Sequence, residues 1–383
     1  MTHAARATGG AHPMTAIACL TAIGDAHARG LAHGRAFRRE IADNIETYLR
    51  RFAASGLARD QAMGEAHRWL AAVRKLNPAY AEEMRGIAEG CGESEASIAL
   101  LNARYELAFV LFGKEATGQE LLAAGPDGCT TFGLLPEVTA DRHTWLGQNW
   151  DWLEGVHGRS FVLRVERTHE PSFVCLTEAG IAGGKMGVNE CGIALAENGL
   201  ASSRDGANSY CKPFHVRCRE VLDAQSLEEA LAAVADGPRT CSANFLIGES
   251  GGTVVDVETS PDCASRLYPK DGIITHSNHF LSEGHGTSLL EKISPSTLYR
   301  AERMRSLLAR ASGAITFDHM RQAAADHFGA PCAICRHPDP TQPDVKRTMT
   351  TGAVLIDLDA RTMHVANGPP CSNEYVPFSV RAG

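Results

Sequence analysis

Gly128 and Cys129 lie in the stretch GPDGCTT, and from Gln148 the chain continues QNWDW. A thiol placed directly after a glycine has one distinctive reaction open to it. The Cys129 sulfur attacks the Gly128 carbonyl carbon, an N-to-S acyl shift gives a thioester, and water releases the upstream piece. Gly128 suits this because, lacking a Cβ, it tolerates distorted backbone and close approach. The product is an N-terminal cysteine with a thiol and an α-amine in one residue. An α-amine titrates near 7.7–8.0, so a good fraction is neutral near pH 7 and acts as base for its own side chain. The plain alternative is a turn, since an isolated Asp-Gly-Cys is usually no more than that, and the rest of the chain has to decide.

Other reactive types are present but point less sharply. Cys332 and Cys335 form a CxxC in PCAICRH, yet one such pair without a second is weak evidence for zinc, and the expectation is a structural role with no metal. The remaining cysteines of the twelve are scattered and are read as free thiols that pack as small hydrophobes. His276 and His279 would allow a Cys-His pair, but the α-amine already supplies a base, so they are read as structural. Trp145, Trp150 and Trp152 are read as core.

Two textures have to position these groups. From about Asp25 to Leu122 the pattern is helical: Phe37, Ile41, Ile45, Leu49 and Phe52 recur every three or four residues. A second helical run, from about Gln61 to Leu76, stops at Asn77-Pro78, and Ser94 offers an N-cap to a third carrying Ile98, Leu101, Tyr105 and Leu107. After residue 129 the chain turns to short β-rich runs separated by Gly and Pro, with helical interludes at about 213–235 and 295–327. Strands gathered into sheets with helices in blocks imply an α+β layered architecture.

DGCTT followed by GQNWDW resembles the acyl-coenzyme A:isopenicillin N (6-aminopenicillanic acid) acyltransferase family of self-cleaving N-terminal-nucleophile (Ntn) hydrolases, and is similar to the N-β-alanyl-amine hydrolases. The likeness continues through GLAHG, PAYAEEMRGIAEG, NARYE, NECGIALAENGL, SANFLIGE, THSNHF, PSTLYRAERM, AICRH and KRTMTTGAVLIDL, in that order. The resemblance implies a four-layer αββα sandwich with a helical N-terminal pro-segment. The divisions would be a flexible tail and entry strand at 1–24, a pro-segment at 25–128 that becomes a small subunit, and a catalytic core at 129–383. It further implies that Gly128-Cys129 is the self-cleavage junction and Cys129 the nucleophile. Asp151 would be the carboxylate supporting cleavage and catalysis, Asn244 an oxyanion-hole amide, and Arg347, ten residues before Asp357, a catalytic arginine that fixes Asp151 or the charge of the intermediate.

The expected function is an autoproteolytic cysteine amidohydrolase on small N-acyl amines or N-acyl amino acids, through a Cys129 thioester. An acyl-CoA-dependent N-acyltransferase uses the same centre and is the alternative, with acyl-CoA as co-substrate and no cofactor otherwise. The rival from another class is a non-catalytic binding protein that keeps the fold. A papain-like protease fits poorly, because its local cysteine signature and downstream His-Asn arrangement are absent.

Composition narrows the partners. A net charge of -8 without a basic run argues against nucleic acid, and no apolar stretch is long enough to span a membrane. The first residues, MTHAARATGGAHPM, lack the layout of a secretory signal, so a cytoplasmic location is expected. A small-molecule amide or thioester and the cleaved pro-segment are the expected partners, and a homo-oligomer is compatible with the sequence.

Overall fold

A computed structural model describes residues 17–117 and 128–381. Six helices come first: α1 (Ala26–Ala36), α2 (Arg38–Ala54), α3 (Arg59–Leu76), α4 (Pro78–Cys91), α5 (Glu95–Asn102) and α6 (Arg104–Thr117). One short strand, β1 (Cys19–Ile23), precedes them. Helix α2 forms where the apolar stripe required it: Ile41, Ile45, Leu49 and Phe52 are all buried. Each such side chain contributes roughly 1.5–3 kcal/mol of transfer free energy. Asn77 both ends α3 and caps α4, its Oδ1 accepting from the Tyr80 N–H, with Pro78 at the first helical position. Ser94 caps α5 through the Ser97 N–H.

Helices α1 and α4 lie backbone to backbone. A Cβ on Gly30 would come within 2.0 Å of the Glu83 oxygen, and one on Gly86 within 2.2 Å of the His27 oxygen. Gly34 and Gly90 meet the opposite helix in the same way. The GLAHG and RGIAEG motifs are therefore the two faces of one glycine-lined contact.

Past the junction come β2 (Thr130–Leu134), β3 (Trp145–Leu153), β4 (Ser160–Glu166), β5 (Phe173–Glu178), β6 (Met186–Asn189), β7 (Ile193–Gly199), helices α7 (Phe214–Asp223) and α8 (Leu227–Ala235), and β8 (Ala243–Glu249), β9 (Thr253–Ser260), β10 (Cys263–Leu267) and β11 (Ile273–His276). Then α9 (Leu290–Ile293), α10 (Thr297–Ala309) and α11 (Phe317–Ala324) lead to β12 (Thr348–Asp357), β13 (Thr362–Ala366) and β14 (Val376–Ser379). They build an eight-stranded sheet in the order β1-β4-β5-β6-β7-β8-β9-β10 and a six-stranded sheet in the order β11-β2-β3-β12-β13-β14.

The sheets stack face to face, β2 and β3 over β7 and β8, and β12 and β13 over β5 and β6. Helices α7 and α8 cover the outer face of the larger sheet, and α10 and α11 that of the smaller. This is the α+β four-layer sandwich, with the strand pairings antiparallel except β1 with β4. Gln148 stitches the sheets together: its amide donates to the Glu197 carbonyl (2.6 Å) and accepts from the Glu197 N–H (2.8 Å).

The N-terminal helices dock through a buried polar cluster. Tyr48 of α2 and Arg104 of α6 both donate to Glu178 on β5, and Trp152 Nε1 on β3 donates to the Tyr48 hydroxyl (2.7 Å). Among the described residues, no helix is long and apolar enough to cross a membrane. The expected tail at 1–16 and the approach to the junction at 118–127 lie outside the described residues.

Candidate active site

Cys129 is buried immediately before β2, at a strand entry in the smaller sheet, and its Sγ lies 3.7 Å from the Asp151 carbonyl oxygen. The carbonyls on either side of the junction are held by one guanidinium. Nη1 of Arg300, a fully buried residue of α10, donates to the Gly128 oxygen, to the Cys129 oxygen (2.6 Å) and to the Thr130 hydroxyl (2.8 Å). Its Nη2 donates to Asn278 Oδ1 (2.6 Å), which fixes the fork. On the other side, the Gly128 Cα abuts Arg336, where a Cβ would fall 2.4 Å from the guanidinium carbon. A side chain here would have to displace that guanidinium from Asp151 and Thr348.

The QNWDW stretch separates into distinct tasks along β3. Trp150 and Trp152 are buried, and Lys185 Nζ sits 3.6 Å from the centre of the Trp150 ring. Asn149 donates to the carbonyls of Ala324 and Ile334 (2.8 Å each) and so ties down the loop that carries Arg336. Asp151, fully buried, accepts from the Thr350 hydroxyl (2.6 Å) and pairs with Arg336 Nε at 3.3 Å. Thr350 stands directly opposite Asp151 in the β3–β12 register. The Arg336 loop extends this arrangement as a short ladder, its N–H donating to the Thr350 hydroxyl (2.9 Å) and its carbonyl accepting from the Thr350 N–H (3.1 Å).

Below β2 lies a second buried polar set. Thr131 Oγ1 accepts from Asn198 (2.8 Å), whose amide also donates to Asn244 Oδ1 (3.0 Å), while the Asn244 amide donates to Asp256. Burial raises the Asp256 carboxyl to about 6. Burial works against ionised Glu258 too, yet the His276 imidazole (2.9 Å) and donors from Ser282 and Leu281 hold it down at about 2. His276 is committed to this pair, as a structural histidine would be.

The structure therefore brings together Gly128, Cys129 and Asp151. It connects Asn244 to Thr131 through Asn198, with its amide hydrogens turned toward Asp256. It does not bring Arg347 to Asp151. Arg347 pairs with Glu154 (3.1 Å) and Asp344, and its carbonyl accepts from the Glu154 N–H (2.8 Å). The cause is register: Thr350 faces Asp151 and Thr348 faces Leu153, so residue 347 falls past the end of β3. At about 3.3 Å per residue that is roughly 10 Å too far along the strand. The arginine on Asp151 is Arg336, and the one on the junction is Arg300. Arg336 lies in AICRH and Arg300 in PSTLYRAERM, two of the blocks that carry the resemblance, where no local spacing marks either arginine.

A cavity of about 600 Å³ opens beside this centre, lined by Ile293, Leu298 and Tyr299 together with Arg336, Lys346 and Arg347. Its size suits a small organic substrate.

Comparison with known proteins places the chain. One curated relative, the 40 kDa form of acyl-coenzyme A:6-aminopenicillanic-acid-acyltransferase from Emericella nidulans, is 30% identical over 315 residues, covering 80% of this chain and 81% of that protein. Solved structures to which the chain is similar include the Caenorhabditis elegans N-acylethanolamine-hydrolyzing acid amidase ortholog (12% identity, TM-score 0.46, 60% of this chain and 93% of that one). Penicillin V acylase from Agrobacterium tumefaciens is another (12%, 0.43, 62% and 83%). Likeness at that level says nothing of chemistry. The match of residues 138–370 and the extent of the curated likeness do: the chain belongs to the acyl-coenzyme A:6-aminopenicillanic acid acyltransferase family.

Proposed function

We propose that the chain is a self-cleaving N-terminal-cysteine amidohydrolase acting on small N-acyl amines or N-acyl amino acids. The observation that carries the reading is the grip on the junction: Arg300 donates to the Gly128 carbonyl oxygen while Cys129 lies buried beside Asp151. An arginine there favours negative charge on that oxygen as the sulfur attacks, the effect a preformed oxyanion site supplies. The Cys129 thiol proton passes to the departing amide nitrogen, the C–N bond breaks, and water hydrolyses the thioester to a Gly128 carboxylate and a free Cys129 amine. In turnover the α-amine takes the thiol proton, the sulfur attacks the substrate carbonyl, and the substrate's own amine leaves carrying that proton, with the acyl group now on the Cys129 sulfur. Water then frees the acid. The apolar cavity walls suit an acyl chain, and the basic lining suits a carboxylate.

The curated relative named as an acyltransferase supports a second reading, in which an amine intercepts the thioester and acyl-CoA supplies the acyl group. A panel of N-acyl amines and acyl-CoA thioesters, with and without an acceptor amine, separates the two.

The cut is tested by denaturing mass spectrometry. Division after residue 128 of the 41.0 kDa chain gives pieces of roughly 14 and 27 kDa, by length fraction. Cys129→Ala is expected as one inactive band. Cys129→Ser should cleave slowly, because a hydroxyl is far harder to deprotonate than a thiol of pKa about 8.5. A whole wild-type chain that still turns over an amide would remove the need for a free α-amine and end this reading. A whole chain without activity would favour the binding-protein alternative.

A further inference from the structure

His327, Cys335, His337 and Cys371 come from three separate segments, yet each offers a ligand atom within 4.8 Å of every other. His327 follows α11, Cys335 and His337 lie on the loop before β12, and Cys371 sits in the turn between β13 and β14. Nε2 of His337 is 3.1 Å from Nε2 of His327, 3.4 Å from the Cys371 sulfur and 3.7 Å from the Cys335 sulfur. One imidazole nitrogen has one proton or one lone pair, so it cannot satisfy three such partners by hydrogen bonding. The separations match those around a central ion. Tetrahedral zinc with bonds near 2.3 Å to sulfur and 2.0–2.1 Å to nitrogen sets its ligand atoms about 3.3 Å apart for N–N and about 3.6 Å for N–S.

A second cluster, Asp141, His143 and Asp357, contrasts with this one. There the imidazole reaches both Asp357 oxygens at 3.0 Å, and Asp141 is occupied by Trp145, so the groups satisfy each other without an ion.

We propose that His327, Cys335, His337 and Cys371 form a structural binding site for a zinc-class divalent cation, which clamps the Arg336 loop to the end of α11 and to the β13–β14 turn. Two thiolates and two neutral imidazoles form the set that tetrahedral zinc prefers. On binding, the two thiols release their protons to solvent, four bonds form to the metal, and the site is electrically neutral. Arg336 stands between two ligands in sequence and reaches Asp151 and Gly128, so the ion would hold the one loop that the junction depends on. The CxxC spacing is not its basis, because Cys332 is outside the cluster and lines the cavity instead. Its half-exposed position leaves an entry path, since His327 and Cys371 are exposed.

The test loads purified full-length protein with Zn2+ under reducing conditions, dialyses it against metal-free buffer and measures metal by mass spectrometry. About one zinc per chain is expected, with a thiolate-to-metal charge-transfer band when Co2+ replaces it. Cys371→Ala should lose more affinity than the roughly 10–100-fold that removal of an outer partner costs. Cys332→Ala should keep its metal. Added Zn2+ should raise the Tm of wild type and leave that of Cys371→Ala unmoved. If Cys371→Ala does not fold, the exposed His327→Ala carries the same comparison. Wild type that retains no more zinc than these variants would overturn the proposal. So would a Cys335–Cys371 disulfide, two hydrogens lighter, that persists in protein kept under the same reducing conditions.

Discussion

Two arginines and one glycine define the surroundings of the Gly128-Cys129 bond more narrowly than Cys129 itself does. Arg300 addresses the oxygen on which charge would develop, Arg336 pairs with Asp151, and the Arg336 guanidinium occupies the space that a Cβ on Gly128 would need. Removing a donor of this kind from an oxyanion site costs about 10²–10³ in rate. Arg300→Gln and Arg336→Ala are therefore both expected to leave the chain largely uncut over a time course that completes wild type, while Arg347→Ala cuts at the wild-type rate. Densitometry of the roughly 27 kDa piece against time reads all three. Equal slowing by Arg347→Ala would restore to it the role that the register denies. At this scale the sequence made Cys129 and Asp151 legible through DGCTT and NWDW. It hid Arg336 because that role depends on a ladder between residues 336 and 350 and on Asn149 reaching 185 residues ahead. Spacing from Asp357 favoured Arg347, but counting back along β12 gives no hint of where β3 ends.

Among the elements, the helical segment was readable because each signal is local. The α2 stripe, the Ser94 cap and the double use of Asn77 need only neighbouring residues. The pairing of α1 with α4 was not readable, since a glycine in a helix looks like a weak point until its partner is known. The structure assigns opposite signs to two such glycines. On Gly86 an added methyl would meet the His27 backbone, so Gly86→Ala should cost at least the roughly 1–3 kcal/mol of an overpacked core. On Gly64 of α3 nothing lies within 4 Å, so Gly64→Ala should stabilise by about 0.5–1 kcal/mol through helix propensity. Thermal unfolding of the two variants, moving Tm down and up respectively, checks both.

For the molecule as a whole, the docking of α6 onto the core carries a pH dependence. Glu106, whose Oε1 accepts from the Phe214 N–H (2.6 Å), is pushed by burial to about 7. Asp205, which accepts from Ser242, is pushed by burial to about 7 as well. In the unfolded chain these carboxyls release their protons near 4.5 and 3.8. Between those values and about 7 the folded state holds more protons, so their contribution falls as pH rises through that window and levels off above it. For Glu106 the full span corresponds to a loss on the order of 3 kcal/mol. Glu106→Gln cannot ionise. Its Tm is expected to change less than that of wild type between about pH 5 and pH 8, and to exceed wild type at the alkaline end. A wild-type Tm that climbs across this range in step with the variant would contradict it.

Strand β1 pairs in parallel with β4, and parallel neighbours cannot be joined by a tight turn. The connection between them runs through the whole helical segment, the junction, and β2 and β3 of the other sheet. While the chain is continuous, seating that strand is a loop closure whose difficulty does not depend on concentration. Were the chain cut at Gly128-Cys129 as proposed, once the sheets have closed, the same pairing would become an encounter between two molecules. The first folding and any later refolding would then follow different kinetic orders, and the finished protein would be easier to make than to remake.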